Sequence, residues 1–541
     1  MSFSELPWHN AAYLHERPPS PTEGDPRRWR DTLGPGGALE PAVRALGLTY
    51  DGFLSRLGPQ CRQDWPTPTP EWVRAADRRA ALGEADPAAQ AYPYPYMVRD
   101  DEMALLRPAA ALVRGSQREL RARVAESTAG SRLTALPDLL ARAWPGEDIE
   151  RIMGRTMALE LGTARLEGLL RGDTPQERYA DYVRLLGEPA TQRALWAEYP
   201  VLLRHIGDLL TGWVDSRAEL AERLVADLGE LDTWCDGGLG EVTDVRFGTG
   251  DTHRRGRSAA VVSFTGATVV HRPWPPDADQ GWDEVLDWFH RQAPPRDLIA
   301  RATLARDGYG WSRFVEALPC RTPEEVRAFS WRTGALLALH HALCGVDVHH
   351  ENLIAHGAYP VVADMAAPFR RALPASAART SPTPADLEAG FAWTYRAIAG
   401  DRAGWTALLD RFADVELRHI PRATAYYSAL LEDSRHPDVL RDALDRDRLL
   451  ARLALGADGS RPWERLVPSE LRDLRRGDLP CFASTPGSRD LVDGDGLRIP
   501  DCLEEAPIEV ARRRLAGLGE EDLAARTTLI KRAFADGRPS P

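Results

Sequence analysis

The sequence predicts an α+β protein in which a small β-rich segment lies between two long helical regions. Three observations carry that prediction. From residue 101 to 231 apolar residues recur at helical spacing. Between residues 258 and 272 the pattern changes to two short β-rich runs around a turn. After Met365 helical spacing returns. A chain of 541 residues is long enough for several domains. The changes of pattern divide it into a mainly helical region 1–231, a mixed core 232–375 and a helical C-terminal region 376–541.

Residues 1–100 are rich in Pro and Trp, with short helical stretches such as 39–57. Tyr92-Pro93-Tyr94-Pro95-Tyr96 reads as a turn or an extended crossing, because proline removes backbone donors and restricts its predecessor. Helical spacing then marks 133–144, 149–170, 190–210 and 216–231. Thr174 with Glu177 forms a capping-box signature for a helix running through Leu186. Residues 248–251 read as a glycine-containing loop. The hairpin follows, with strands 258–264 and 268–272 around the turn Thr265-Gly266-Ala267. Helices are expected over 282–292 and 323–343, then a loop over 346–352 and two short β-like runs, 353–355 and 360–363. A proline-rich stretch at 381–385 reads as a linker.

Composition narrows the function. The hydrophobic share of 43% and charged share of 27% are ordinary for a soluble globular chain. A net charge of −12 without any basic tract disfavours a nucleic-acid partner. Lys531 is the only lysine, so a cation gripping phosphates elsewhere in this chain has to be an arginine. The cysteines Cys61, Cys235, Cys320, Cys344, Cys481 and Cys502 form no C-x-x-C pair, which gives a structural zinc site no support, and so few thiols in so long a chain fit a reducing compartment. No signal-peptide pattern occupies residues 1–26, and no apolar run approaches the ~18 residues of a membrane span. The expected location is cytoplasmic, with no membrane partner.

The chemistry-bearing pattern lies in the mixed core. Phosphoryl transfer needs a base for the acceptor hydroxyl, oxygen ligands for magnesium, and donors on the phosphates. Protein kinases set the base Asp and a metal-binding Asn five residues apart on one loop and return a second metal-binding Asp from a later strand. Asp347 and Asn352 have that separation in Asp347-Val348-His349-His350-Glu351-Asn352, and a β-like stretch then delivers Asp364. Arg272 ends the hairpin, where a kinase carries its phosphate-gripping lysine. On spacing alone, a polar loop after a helix end, with Asp and Asn making turn hydrogen bonds, fits equally well. Arg272 by itself also reads as an exposed strand-end arginine, His253 as a surface hydrogen-bonding residue, and Arg418 with Thr424 as the start of a helix capped by the threonine.

Several motifs together resemble the N-terminal dehydratase half of class II lanthipeptide synthetases, the LanM type. Gly250-Asp251-Thr252-His253 with Gly256-Arg257-Ser258 is similar to that family's G-D-S-H…G-R-S segment. The run from Asp347 to Ala355, with Tyr359-Pro360-Val361 and Asp364, resembles its D-x-H-x-E-N-x-I-A…Y-P-V…D signature. Arg418, Arg422, Thr424 and Tyr427 match R-x-x-x-R-x-T-x-x-Y. Gly477-Asp478-Leu479-Pro480 with Phe482, then Ser488-Arg489-Asp490-Leu491, matches G-D-I-P-x-F…S-R-D-L. Leu159-Glu160-Leu161 and Glu198-Tyr199-Pro200-Val201-Leu202 also fit.

The resemblance implies a lipid-kinase-like bilobal core with a small β-rich N-lobe and large added helical subdomains. It implies ATP and magnesium, phosphorylation of Ser or Thr in a leader-bearing precursor peptide, and β-elimination to dehydroalanine or dehydrobutyrine. Asp347 is then the phosphorylation base, supported by His349. Asn352 and Asp364 hold magnesium, Asp251 and His253 lie in the same cleft, and Arg418 and Thr424, in the C-terminal region, assist departure of the phosphate. Two positions depart from the family: Arg272-Pro273 stands for its Lys-Pro, and Ala366 for its acidic residue. No paired Cys and His ligands of a zinc cyclase appear, so the expectation is dehydration without ring formation, with a separate cyclase or other tailoring enzyme as partner. The alternatives are a catalytically weak peptide-binding pseudoenzyme, a kinase-only subunit, and a small-molecule phosphotransferase.

Overall fold

Prolines and polar caps set the helix boundaries of this chain, as its computed structural model shows. The described residues are 2–33, 39–58, 69–85, 103–247, 252–344, 353–362 and 383–535. Thr174 accepts the Glu177 N–H while Glu177 accepts back from the Thr174 N–H, so the capping box opens the helix Pro175–Leu185. The helical run expected over 190–210 is two helices, Pro189–Glu198 and Pro200–Trp234. Tyr199, with φ −121° and ψ 62°, is not helical, and Pro200 takes the first helical position, where its missing N–H costs nothing. The stretch expected as a separate helix, 216–231, is the continuation of that 35-residue helix. Ser216 does not interrupt it, because its hydroxyl donates back to the Gly212 carbonyl at 2.7 Å. The expected linker likewise begins a helix: Pro384 is the first residue of Pro384–Gly400, and 381–382 lie outside the described residues.

Among the described residues eleven strands occur: β1 (Val242–Phe247), β2 (Ala260–Phe264), β3 (Thr268–Arg272), β4 (Thr303–Arg306), β5 (Tyr309–Arg313), β6 (Leu353–His356), β7 (Tyr359–Val362), β8 (Leu417–His419), β9 (Phe482–Ser484), β10 (Leu491–Val492) and β11 (Arg498–Ile499). The protein is therefore α+β, largely helical with small sheets. Periodicity finds the β2–β3 and β6–β7 hairpins. It misses β1, β4, β5 and the C-terminal strands, most of which are too short to show an alternation.

The chain forms two compact units, both discontinuous in sequence. The first comprises Met1–Ser258, Val262–Ala267 and Arg422–Pro480. Its helical core is built on Trp8, Tyr13, Val113, Ile149, Trp196 and Ile206, and Leu440 from the C-terminal segment packs into it. Two of the singled-out motifs meet there structurally. The Tyr199 hydroxyl donates to Glu160, and Arg441 holds both Glu198 and the Tyr199 oxygen.

The second unit comprises Ala259–Val261, Thr268–Pro421 and Cys481–Pro541. In it β5 lies between β3 and β4, antiparallel to both, with Arg272 opposite Gly310. β6 and β7 form a two-stranded hairpin, and β8 to β11 a second sheet in the order β11-β10-β9-β8. The core packs Trp282, Phe289, Phe329, Leu339, Trp405 and Leu409. The helices Pro323–Ala342 and Pro384–Gly400 cross at reciprocal glycines. A Cβ on Gly334 would lie 2.0 Å from the Leu387 carbonyl oxygen, and one on Gly390 1.9 Å from that of Trp331. No larger residue permits this approach. Among the described residues no helix is long and apolar enough to cross a membrane.

Candidate functional site

Of the candidate residues, Asp251, Asp347, His349, Asn352 and Asp364 lie outside the described residues, as does Ala366. His253 and Thr424 belong to the first unit, Arg272 and Arg418 to the second. Among the described residues no group of three His, Cys, Asp or Glu is placed to hold a metal ion.

In the first unit, His253 opens a tight turn whose ends pair: the His253 N–H donates to the Arg257 carbonyl at 3.1 Å and the reverse bond is 2.9 Å. Three consecutive residues, Arg254, Arg255 and Gly256, take positive φ of 46°, 70° and 77°. That conformation aims successive backbone N–H groups to one side, an anion-binding arrangement. Asp478 occupies it, accepting from the Arg255 N–H at 2.6 Å and the Gly256 N–H at 3.1 Å. Burial pushes the Asp478 carboxyl above its usual range, and the Thr252 hydroxyl and the two N–H groups pull it part of the way back.

The Asp478 segment is itself delivered by a helix end. Gly477, at φ 88°, gives Val467–Arg476 its left-handed C-cap and turns the chain. Leu479 then donates to the Thr252 carbonyl at 3.1 Å, and the His253 Nδ1 lies 2.8 Å from the Leu479 carbonyl oxygen. A carbonyl only accepts, so Nδ1 carries the proton, and in the neutral ring Nε2 is the acceptor nitrogen. His253 is buried, not a surface residue. Two motifs more than 200 residues apart in sequence thus form one assembly, which Arg257 ties to the Pro200–Trp234 helix by a two-pronged contact with Glu219 at 2.6 and 3.2 Å.

The R-x-x-x-R-x-T-x-x-Y element separates into distinct tasks. Arg422 grips Glu470 at 2.7 and 3.1 Å, and the Tyr427 hydroxyl donates to the same carboxylate, which is fully buried. That burial and the Glu470 charge push the Tyr427 hydroxyl well above its usual range. Arg422 and Tyr427 therefore lock the fold. Thr424 is exposed and is the first residue of the helix Thr424–Asp433; the N-cap is Ala423, so the capping role open to Thr424 is not the one it takes.

In the second unit Arg272 is buried, not the exposed strand-end arginine that its position alone allows. Its guanidinium contacts one oxygen of Asp279 at 3.2 Å, and Arg301 contacts the other at 2.7 Å. Both arginines and the aspartate keep about a tenth or less of their side-chain exposure. Arg418 lies on β8 opposite Ala483 of β9, with its guanidinium 5.5 Å from the centroid of the Trp274 ring, two residues beyond Arg272. Arg272 and Arg418 therefore flank one short segment after β3. Asp279 and Arg301 were not legible in the sequence, since neither sits in a recurring spacing or motif. Ser488 and Arg489 order a loop: the Asp490 N–H donates to the Ser488 hydroxyl, and Arg489 holds the Leu503 carbonyl. Lys531 pairs with Glu388 at 3.2 Å.

A family model described as "Domain of unknown function (DUF4135)" matches residues 199–388 and 384–485, more than half of the chain. A curated relative, the "Lacticin 481/lactococcin biosynthesis protein LcnDR2" of Lactococcus lactis subsp. lactis, is 21% identical over 241 residues. That match covers 41% of this chain and 25% of the relative, so the chain spans about a quarter of the length of the relative it matches.

Proposed function

The chain belongs to the DUF4135 family, and from that premise we propose that it dehydrates Ser and Thr in a leader-bearing precursor peptide, phosphorylating each hydroxyl from ATP and then eliminating the phosphate. A dehydratase-type activity is consistent with that membership. The observation that carries the finer reading is coverage. Every residue singled out for the chemistry, from Asp251 to Thr424, falls inside the matched segment 199–485. The relative's part in lacticin 481/lactococcin biosynthesis agrees with a peptide substrate.

The reading takes residues 232–375 as a lipid-kinase-like core, with helical regions 1–231 and 376–541 around it. Asp347 removes the proton of the substrate hydroxyl as its oxygen attacks the terminal phosphorus of ATP, ADP departs, and His349 supports that site. A buried guanidinium at the end of β3 fits a phosphate grip, and Arg272 takes that role with Asp279 fixing its fork. Asn352 and Asp364 hold magnesium, which supplies charge neutralisation at the phosphate oxygens when bound. In the second half-reaction a base removes the α-proton, the Cβ–O bond breaks, and its electron pair leaves with phosphate, giving dehydroalanine from Ser or dehydrobutyrine from Thr. For this elimination Arg418 is assigned the neutralising of the leaving phosphate, and Asp251, His253 and Thr424 are its further assigned residues.

Mass spectrometry of a leader-bearing Ser/Thr peptide incubated with the protein, ATP and magnesium tests the reading. Loss of one water per modified residue is expected. Retained phosphate would make the protein a kinase only, and an unchanged mass would make it a binding scaffold. Arg418→Ala should slow elimination by roughly 10²–10³-fold while phosphorylation continues, so phosphopeptide accumulates. A block before phosphorylation would remove Arg418 from the role given to it.

A further inference from the structure

Arg217, on the Pro200–Trp234 helix, is mostly buried, yet it is handled unlike the other buried arginines of its unit. Arg204 has Glu16, Arg79 has Glu119 and Arg17 has Asp442, each at 2.8 Å or closer. Among the described residues Arg217 has no carboxylate partner. Its Nη1 donates to the Ser216 oxygen at 2.9 Å, its guanidinium lies 3.8 Å from the centroid of the Phe247 ring, and its Nε is shielded from solvent without an acceptor. The acids around it are committed elsewhere. Glu219 holds Arg257 and Arg223, Asp215 holds Arg123, and Asp148 holds Arg151.

A cation–π contact offsets only part of the cost of burying a guanidinium. Burial pushes Arg217 down to about 9 despite the pull of Asp148. A chain under selection for stability alone has an inexpensive alternative, a long apolar residue against Phe247. The position is also informative. Gly212, five residues earlier and ~7.5 Å along the axis, packs against the backbone of the His253 turn, where an added Cβ would meet the Arg255 carbonyl oxygen at 2.9 Å. Phe247 ends β1.

We propose that Arg217, backed by Ser216 and the Phe247 face, is the cation of an oxyanion site in the first unit, and that its ligand is a phosphate group, free or ester-linked. The guanidinium fork presents two parallel N–H groups, which suit phosphate. Ser216 accepts from Nη1, fixing that fork, and its own hydroxyl donates a hydrogen bond to the Gly212 carbonyl. The choice of phosphate over a carboxylate rests on the phosphoryl chemistry proposed above; the existence of the site does not.

The test uses the full chain without ATP or magnesium, so it is independent of any dehydration assay. Thermal unfolding is followed against inorganic phosphate, acetate and chloride at matched ionic strength, and ³¹P line broadening measures binding. Phosphate should raise the melting temperature of the wild type above the chloride control. Arg217→Met should lose that rise while melting no lower than wild type in chloride. Arg217→Lys, which keeps the charge but not the fork, should bind phosphate about tenfold more weakly, and it serves if the Met variant fails to fold. O-phosphoserine in place of inorganic phosphate separates an ester-linked group from the free ion by the larger shift. Equal shifts in wild type and Arg217→Lys, no shift beyond chloride, or a rise with acetate and none with phosphate would each overturn the proposal.

Discussion

Arg272, in the second unit, shares one buried carboxylate with Arg301, whereas Arg217, in the first, lies against an aromatic ring with the nearby acids paired elsewhere. Both are guanidiniums in a chain with a single lysine, so residue type does not distinguish them. Their surroundings do. Asp279 neutralises and orients Arg272 from within the fold, leaving it fixed in direction. Arg217 is oriented by Ser216 and the Phe247 ring and has no carboxylate partner among the described residues. The contrast teaches that in a lysine-poor chain the partner, not the cation, sets whether a buried guanidinium is oriented by a carboxylate of the fold or by neutral neighbours.

Removing the shared carboxylate should have the largest effect. Asp279→Asn removes the carboxylate charge that two buried guanidiniums contact, and chemical denaturation should show a loss of about 3–5 kcal/mol; a loss under 1 kcal/mol would mean that the Arg272 fork is fixed by other contacts. Glu470→Gln comes next. It removes the charge that Arg422 and Tyr427 share, and should cost about 2–3 kcal/mol by the same measurement. Arg217→Met should have the opposite sign, a gain of about 1 kcal/mol without phosphate, which sharpens the comparison because the same measurement then separates a carboxylate-paired arginine from one with no carboxylate partner among the described residues.

The smallest effect concerns pH. Asp283 lies one helical turn beyond Asp279, and burial, with repulsion from Asp279 and Asp287, pushes its carboxyl up to about 6 while Arg301 pulls it down. Its folded value therefore exceeds the unfolded one. Between about pH 4 and pH 6 the native state binds more proton, so this group's contribution to stability falls as pH rises through that window. Asp283→Asn should raise stability at pH 7 by about 1 kcal/mol or less after solvent screening, and leave it unchanged near pH 4. A gain equal at both pH values would point to packing instead of charge.

Particular residues show how much was legible beforehand. The Thr174–Glu177 box and the β2–β3 hairpin follow from neighbours in sequence, and the structure has both. Pro200 and Pro384 were visible as prolines, but whether each broke a helix or began one depended on what preceded it. Of the site, the motifs carrying His253 and Asp478 were recognisable as separate resemblances. Nothing in either indicated that the Asp478 carboxylate fills the backbone turn beside His253, or that Arg422 and Tyr427 serve Glu470.

The sequence by itself determined the alternation of helical and β-rich regions, the local caps, the restriction of nearly every cation to arginine, and the family resemblance. These depend on residue type and short spacing, which the chain carries in one dimension. Tertiary structure alone decided which carboxylate meets which arginine: Asp279 with Arg272 and Arg301, Glu219 with Arg257, and none among the described residues with Arg217. The reason is physical. A guanidinium's state is set by burial and by charges within a few ångströms, and those neighbours come from elements that are distant in sequence and meet only when the chain has folded.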